Sequence, residues 1–519
     1  MLGARSRSVR DAVLVLLGAT CMHIATTFLN SFQADPYTGD IIVNTEVHQF
    51  PADPPPGPAP TPVPAPPKEK TLIIAPPPTV DLSYDFPETT MDSHAPGWTV
   101  FHNLYMSNGT LFVVTPRPAS DFPDIVYITS TGLAADISEE NIRARLPTRE
   151  NLDFITPEEA RERWGPIASQ PRSKNRVWNV SGNTMLFNDP SQFLDHYYHF
   201  CAELILGMWA FWQGAHNAQV DPRHAELTTA PPFTRAIFAH ANADGWRDRP
   251  GFNSYFFRAA FPSLTVEVQK DWEDRIIASS ATGDRARAWH FDSVLLADRS
   301  AAFKGIVCGQ QVYRTAGEAF HFMRAQGNLT KWWWEPVRRK VLQFAGIDQR
   351  VIDVGVRAQA EEERLKLGEA GAKGSRQDVV ITYIDRQGVR RHLVDEDHER
   401  LVEMLTELCA VKGWELNLVQ AEKLTKEDQL DLAARSTVLL GVHGNGLTVL
   451  LTTTSGLHAP WDTSILQYGM IHVLMRDRYY THPNLPNVDY PEGFQGTQIP
   501  VHAPTVIQII EDRIAGRLP

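Results

Sequence analysis

The chain has 519 residues, of which 43% are hydrophobic and 21% charged, and a formal net charge of -12 at pH 7. That length exceeds a single small core and suggests two or three domains; the composition is that of a globular protein. The acidic balance gives no support to nucleic-acid binding, which needs a basic face, although a few local arginines can still hold an anionic ligand inside an acidic protein.

In chain order, Arg5, Arg7 and Arg10 come first and precede an apolar run from Ala12 to Leu29 without Asp, Glu, Lys or Arg. As a helix this run spans roughly 27 Å at ~1.5 Å per residue, just under the ~30 Å hydrocarbon core of a bilayer. The arginine flank places the N-terminus in the cytosol and the rest of the chain in the lumen. A cleaved signal peptide is the competing reading, and both lead into the secretory pathway. From Pro51 to Pro78 proline dominates. Such a segment cannot build a core and favours an extended, semi-rigid stem, which supports an anchor. Sequons at Asn108, Asn179 and Asn328 are candidate glycan sites in a luminal chain. The four cysteines, Cys21, Cys201, Cys308 and Cys409, have no CxxC spacing, which argues against structural zinc.

The globular part begins near Gly97. Thr99–Tyr105 and Leu111–Val114 flank Asn108-Gly109 and read as a hairpin. Residues 195–213 have helical periodicity through Phe200, Leu204 and Met208. Residues 233–239 and 292–297 read as short buried strands, and Glu318 to Phe344 as helical and aromatic-rich. Ala358 to Arg376 reads as a mobile loop or hinge insertion. After Gln377 the pattern becomes regular. Strands are expected at Asp378–Ile384, Trp414–Val419 and Thr437–Val442, and helices at Asp395–Val411 and Thr425–Arg435, the latter with Thr425 as N-cap. This β-α-β-α-β order predicts a parallel, doubly wound sheet and an α/β fold.

In such a sheet, ligands bind beyond the carboxyl ends of the strands. Three segments leave those ends: Asp385-Arg386-Gln387-Gly388 with Arg390 and Arg391 behind, Gln420-Ala421-Glu422, and His443-Gly444-Asn445-Gly446-Leu447-Thr448. Two glycines let the backbone approach a ligand closely. A helix starting near Leu447 would offer free N–H groups to an anion. His443 can donate to a phosphate or sugar oxygen, and Arg386 can grip a diphosphate bidentately. The alternative is an ordinary glycine-rich turn beside a surface arginine.

A second constellation is Asp195-His196-Tyr197-Tyr198-His199-Phe200 with Glu203. On an α-helix His196, His199 and Glu203 share roughly one face. The spacing fits catalytic zinc poorly and lacks a further ligand. His199 or Glu203 fits general-base work on an acceptor hydroxyl, against the alternative of structurally bonded histidines on a core helix. Trp332-Trp333-Trp334 could stack a sugar, but such clusters are more often core.

Three blocks together carry a family resemblance: HYYHFCAEL at 196–204, YIDRQGVRRHLVDEDHERLV at 383–402 and GVHGNGLT at 441–448. The chain resembles glycosyltransferase family 61, which includes plant β-1,2-xylosyltransferase and the EGF-domain O-GlcNAc transferase. The resemblance implies a GT-B fold, two Rossmann-like domains facing a cleft. It also implies inverting transfer from a UDP-sugar of the xylose, arabinose or N-acetylglucosamine class to a glycan or glycoprotein acceptor, with no metal or other cofactor. The expected organisation is a cytosolic tail (1–10), a signal-anchor helix (11–30), a Pro-rich stem (31–95), an N-terminal acceptor-side domain (96–345) and a C-terminal nucleotide-sugar-binding domain (346–519), on a Golgi or endoplasmic reticulum membrane. His199 and Glu203 are then the catalytic candidates, and Arg386, Arg391, His443, Gly444, Asn445 and Gly446 the donor-binding ones. After the glycine turn the chain departs from the family's pattern. Thr452–Leu457 leads to Ala459-Pro460-Trp461, with no clear Glu-bearing strand. That departure favours the alternative reading, a non-catalytic luminal carbohydrate-binding or scaffold relative.

Overall fold

Eight strands from the first part of the chain build one mixed sheet: β1 (Thr90–Ala95), β2 (Trp98–Ser107), β3 (Thr110–Val114), β4 (Leu152–Ile155), β5 (Val177–Pro190), β6 (Phe233–His240), β7 (Thr265–Glu267) and β8 (Ala288–Ala297). The structure is a computed structural model. It describes residues 81–515 apart from 137, 168, 171–172, 221–227, 304–312, 331, 355–378, 443 and 453–496. The anchor, most of the stem and the 358–376 insertion therefore lie outside the described residues, as do Cys21 and Cys308. Among the described residues no helix is long and apolar enough to cross a membrane.

The strand order is β4-β3-β2-β8-β5-β6-β7, with β1 also paired to β2. The expected hairpin is present: β2 and β3 pair antiparallel from Tyr105↔Phe112 to Ser107↔Thr110. Asn108 (φ 51°) and Gly109 (φ 84°) both take the positive φ that a tight hairpin turn requires. From β5 onward the sheet is parallel: β8 pairs β5, β5 pairs β6 and β6 pairs β7. The chain runs outward through β5, β6 and β7, then returns to lay β8 on the other side of β5. That is half of a doubly wound sheet, and its topological switch point lies between β5 and β8.

Alternation along these strands covers both faces. Met185, Phe187, Ala236, Phe238, Leu295 and Ala297 enter one core, whereas Leu186, Ile237, Val294 and Leu296 enter another. The first core is aromatic-rich, and Trp332, Trp333 and Trp334 are buried side chains rather than an exposed sugar platform. Trp334 stacks on Phe256 and the Trp333 carbonyl accepts from Trp209 Nε1. The fold begins ahead of residue 96, because Leu82 and Phe86 are buried and β1 is already part of the sheet. The stretch 318–344, expected to be helical, holds two helices, Tyr313–Ala325 and Glu335–Phe344.

The second sheet is formed by β9 (Val380–Ile384), with two further strands flanking it, after which β10 (His392–Leu393) pairs separately with β13 (Gln498–Ile499). The flanking strands are β11 (Glu415–Val419) and β12 (Val438–Gly441), and the order β11-β9-β12 is parallel throughout. Helix Asp395–Lys412 carries three acidic residues in its first turn and ends at Gly413, φ 68°. Helix Lys426–Arg435 is capped as expected, Thr425 Oγ1 accepting from Asp428 N. Leu430, Ala433 and Ala434 of that helix enter the aromatic core of the first sheet. Residues 78–519 accordingly cluster as one compact unit. Cys201 and Cys409 are free, buried thiols in separate cores, and burial pushes both thiols up, which makes them poor nucleophiles.

His290 of β8 is fully buried, with its ring nitrogens 2.8 Å and 3.1 Å from the carboxamides of Asn179 and Asn103. Burial pushes its pKa down to about 4, Asp292 opposing. The unfolded chain binds this proton below its ordinary ~6.5. This contribution to stability is therefore complete above that pH and is lost as pH falls toward 4, by about 3 kcal/mol at most. Urea midpoints between pH 7 and 4.5 should fall for the wild type and fall less steeply for His290→Gln. Parallel curves would contradict this account of the buried ring.

Candidate functional site

At the switch point, β5 ends in Asn188-Asp189 and β8 continues into Asp298-Arg299. All four polar groups turn inward. Asp298 Oδ1 caps the short helix Arg299–Ala302, while its Oδ2 accepts from Ser130 N at 2.6 Å and Asn188 Nδ2 at 2.7 Å. Asn188 Oδ1 lies 2.8 Å from His240 Nε2, at the end of β6. Arg299, 1% exposed, donates to Asp189 twice, from its backbone N to Oδ1 (2.8 Å) and from Nε to Oδ2 (3.1 Å). Burial raises the pKa of Asp189 and Asp298; Arg299 opposes the rise at Asp189.

Arg299 reaches onward to the His199 constellation. Its Nη1 donates to Glu203 Oε2, its Nη2 lies 3.4 Å from the His199 carbonyl, and its guanidinium stacks 4.5 Å over Phe193. Glu203 Oε2 also takes His199 Nδ1 at 2.7 Å. An oxygen that accepts from arginine is an acceptor toward the imidazole as well. Nδ1 therefore carries the proton toward Glu203, which in the neutral ring leaves Nε2 as the acceptor. No hydrogen-bond partner among the described residues meets Nε2, and the His199 side chain is 24% exposed.

The helix bearing these groups differs from the expected α-helix. Tyr198–Ile205 is a π-helix that becomes α-helical at Leu206–Ala215. The wider turn aligns His199 with Glu203, four residues on. His196 sits ahead of the helix instead of sharing its face. π-Segments of this kind are rare and recur at functional sites. His196 is exposed as a residue, but its ring lies 4.8 Å from that of His199 and is packed among neighbouring side chains. Desolvation of the ring by those neighbours is the largest cause holding its pKa down to about 4; His199 adds to this, Glu203 opposes it and Arg391 adds to it. His196 is therefore neutral near pH 7, and Arg391 from the second sheet lies within electrostatic reach of it.

At the second sheet, the parallel order places the chain segments after β9, β11 and β12 at one end. Asp385 Oδ2 accepts from Gln420 Nε2 at 2.9 Å and ties two of them together. The Gln387 carboxamide braces the following loop through Leu393 N, the Leu393 carbonyl and Asp395. Arg386 lies across the third segment, its Nη1 3.5 Å from the Val442 carbonyl. A Cβ at Gly444 would overlap Arg386 Nη1, so any side chain there displaces the guanidinium from this position. Burial lowers the pKa of Arg386 and Arg391; Arg391 adds to the effect on Arg386 and Arg390 to that on Arg391, while Glu422 opposes at Arg386. Arg391 thus lies within electrostatic reach of both Arg386 and Arg390, an arrangement of a kind that can attract an anionic group.

The glycine turn continues into a 3-10 helix, Asn445–Thr452, and not into an α-helix starting near Leu447. Its side chains Leu447, Thr448 and Val449 are buried, and it packs against the π-helix. The segment after β12 and the helix bearing His199 are therefore in contact, and Arg391 lies within electrostatic reach of His196. His443 lies outside the described residues. Among the described residues no cluster of three or more His, Cys, Asp or Glu is placed to hold a metal ion. Asp189 and Arg299 were missed by sequence reasoning. Their signal is a polar pair directly after an apolar strand, Thr184–Phe187 and Val294–Ala297, visible only once β5 is recognised. Compared with known proteins, the chain matches no family model and no curated protein.

Gly444→Ala should expel the Arg386 guanidinium and mimic Arg386→Ala. Each should weaken nucleoside diphosphate binding by roughly tenfold to a hundredfold, the ~1.5–3 kcal/mol of a charge-assisted contact. The double variant should be no worse than either single one. Calorimetric titration checks this, and additive losses would separate the glycine from the arginine.

Proposed function

We propose that this chain is an inverting, UDP-sugar-dependent glycosyltransferase acting on a glycan or glycoprotein acceptor. The observation that carries the proposal is the placement of a bare, oriented imidazole nitrogen, His199 Nε2, on the helix that the segment after β12 packs against, with Arg386 lying across that segment. In this reading Arg386 and Arg391 hold the diphosphate against Gly444–Gly446, with His443 as a further donor. The acceptor hydroxyl oxygen attacks the sugar C1 from the opposite side. The C1–O bond to the diphosphate breaks, its electron pair leaves with UDP, and the hydroxyl proton passes to His199 Nε2. The rim arginines neutralise the charge growing on the diphosphate oxygen. Glu203, 1% exposed, orients the base and does not touch substrate, as in carboxylate–histidine pairs generally.

The two sheets are the basis for a GT-B arrangement, with acceptor-side residues 96–345 and donor-side residues 346–519. Residues 11–30 would anchor the enzyme and 31–95 would form the stem, with the catalytic part luminal in the Golgi or endoplasmic reticulum. This placement is supported by the Arg5, Arg7 and Arg10 flank and the proline-rich segment.

His199→Ala should keep UDP affinity while turnover falls by ~10²–10⁴, the usual loss for a general base. Glu203→Gln should lose less, because it keeps the hydrogen-bond geometry without the charge. UDP titration and turnover on the same folded proteins check this. Near-normal turnover in His199→Ala, or no UDP binding in the wild type, would overturn the proposal.

A further inference from the structure

Glu203 is 1% exposed, and only one of its oxygens is bonded. Oε2 accepts from both His199 and Arg299, whereas Oε1 is buried with no hydrogen-bond partner among the described residues. A carboxyl so placed is fixed by the groups that meet its one bonded oxygen. Arg299 is the buried one of the two. It cannot swing away, because Asp189 grips its backbone N and its Nε while Phe193 covers its face. Asp189 and Arg299 come from the two strands that flank the switch point, so the sheet itself sets their separation.

We propose that Arg299, anchored by Asp189, is a positioning residue that fixes the Glu203 carboxyl and thereby holds His199 in the tautomer with Nδ1 protonated and Nε2 bare. The chain runs Asp189–Arg299–Glu203–His199, and only the last member meets solvent. With Arg299 removed, Glu203 Oε2 is left with one partner and the carboxyl is free to turn. His199 then loses the acceptor that selects its tautomer, and the proton moves between the two ring nitrogens. Asp189 acts one step further back by fixing the guanidinium.

The turnover part of this proposal rests on the transferase reading; the tautomer part does not. The test uses the full chain with ¹⁵N-labelled histidine, the His199 signals being assigned by their loss in His199→Gln. In the wild type, His199 should be a single Nδ1–H tautomer near pH 7. In Arg299→Met it should become a mixture. Turnover should fall roughly 10²- to 10⁴-fold, the range for a lost base or a wrong tautomer, with UDP affinity unchanged. Arg299→Lys, which keeps the charge without the fork, should recover part of both, and Asp189→Asn should show the same change more weakly. If Arg299→Met does not fold, the Lys and Asn variants decide by the same spectrum. A His199 tautomer unchanged in folded variants would overturn the proposal. A tautomer that shifts in a protein without transferase activity would leave the relay standing and remove the functional reading.

Discussion

A guanidinium buried in an aromatic core must be answered by carboxylates, and at Arg299 that requirement organises the first half of the molecule. Asp189 from β5 and Glu203 from the π-helix both meet it. Their positions in turn set where the π-helix starts and how His199 is held. Removing one partner from such a buried set typically costs 3–5 kcal/mol, because the remaining charge stays unanswered. The network is thus costly to disturb, and its outcome is one oriented imidazole at the cleft.

Topology explains why this happens there. In a parallel sheet every strand delivers its carboxyl end to the same side, and the chain reversal between β5 and β8 opens a crevice at that side. The second sheet obeys the same rule: β9, β11 and β12 deliver Arg386, Gln420 and the glycine turn to one rim. The 3-10 helix after that turn packs on the π-helix, and Val449 and Phe200 share one core.

The second sheet was legible because its signals are local. A β-branched run marks β9, an apolar run marks β12, Thr425 marks a helix start, and Gly444 marks a tight turn after β12. The first sheet was only partly legible. β2 and β3 announce themselves through Asn108-Gly109, but β5 carries Asn179, Ser181, Gly182 and Asn183 in its first half and does not read as a buried strand. Without β5 there is no switch point, so Asp189 and Arg299 had no apparent reason to matter. The π-helix was hidden for another reason. Its residues fit an α-helical pattern, and periodicity does not record the wider turn of Tyr198–Ile205. Gly444 was singled out for approach to a ligand; the group it first makes room for is Arg386.

The structure of the full chain with UDP bound decides whether one site holds a diphosphate against Arg386 while offering His199 as base, as proposed. The diphosphate is expected against the Arg386 guanidinium and the backbone of Gly444–Gly446, with the terminal phosphate facing the helix that carries His199. UDP bound away from that rim, or with its terminal phosphate turned from His199, would contradict the proposal.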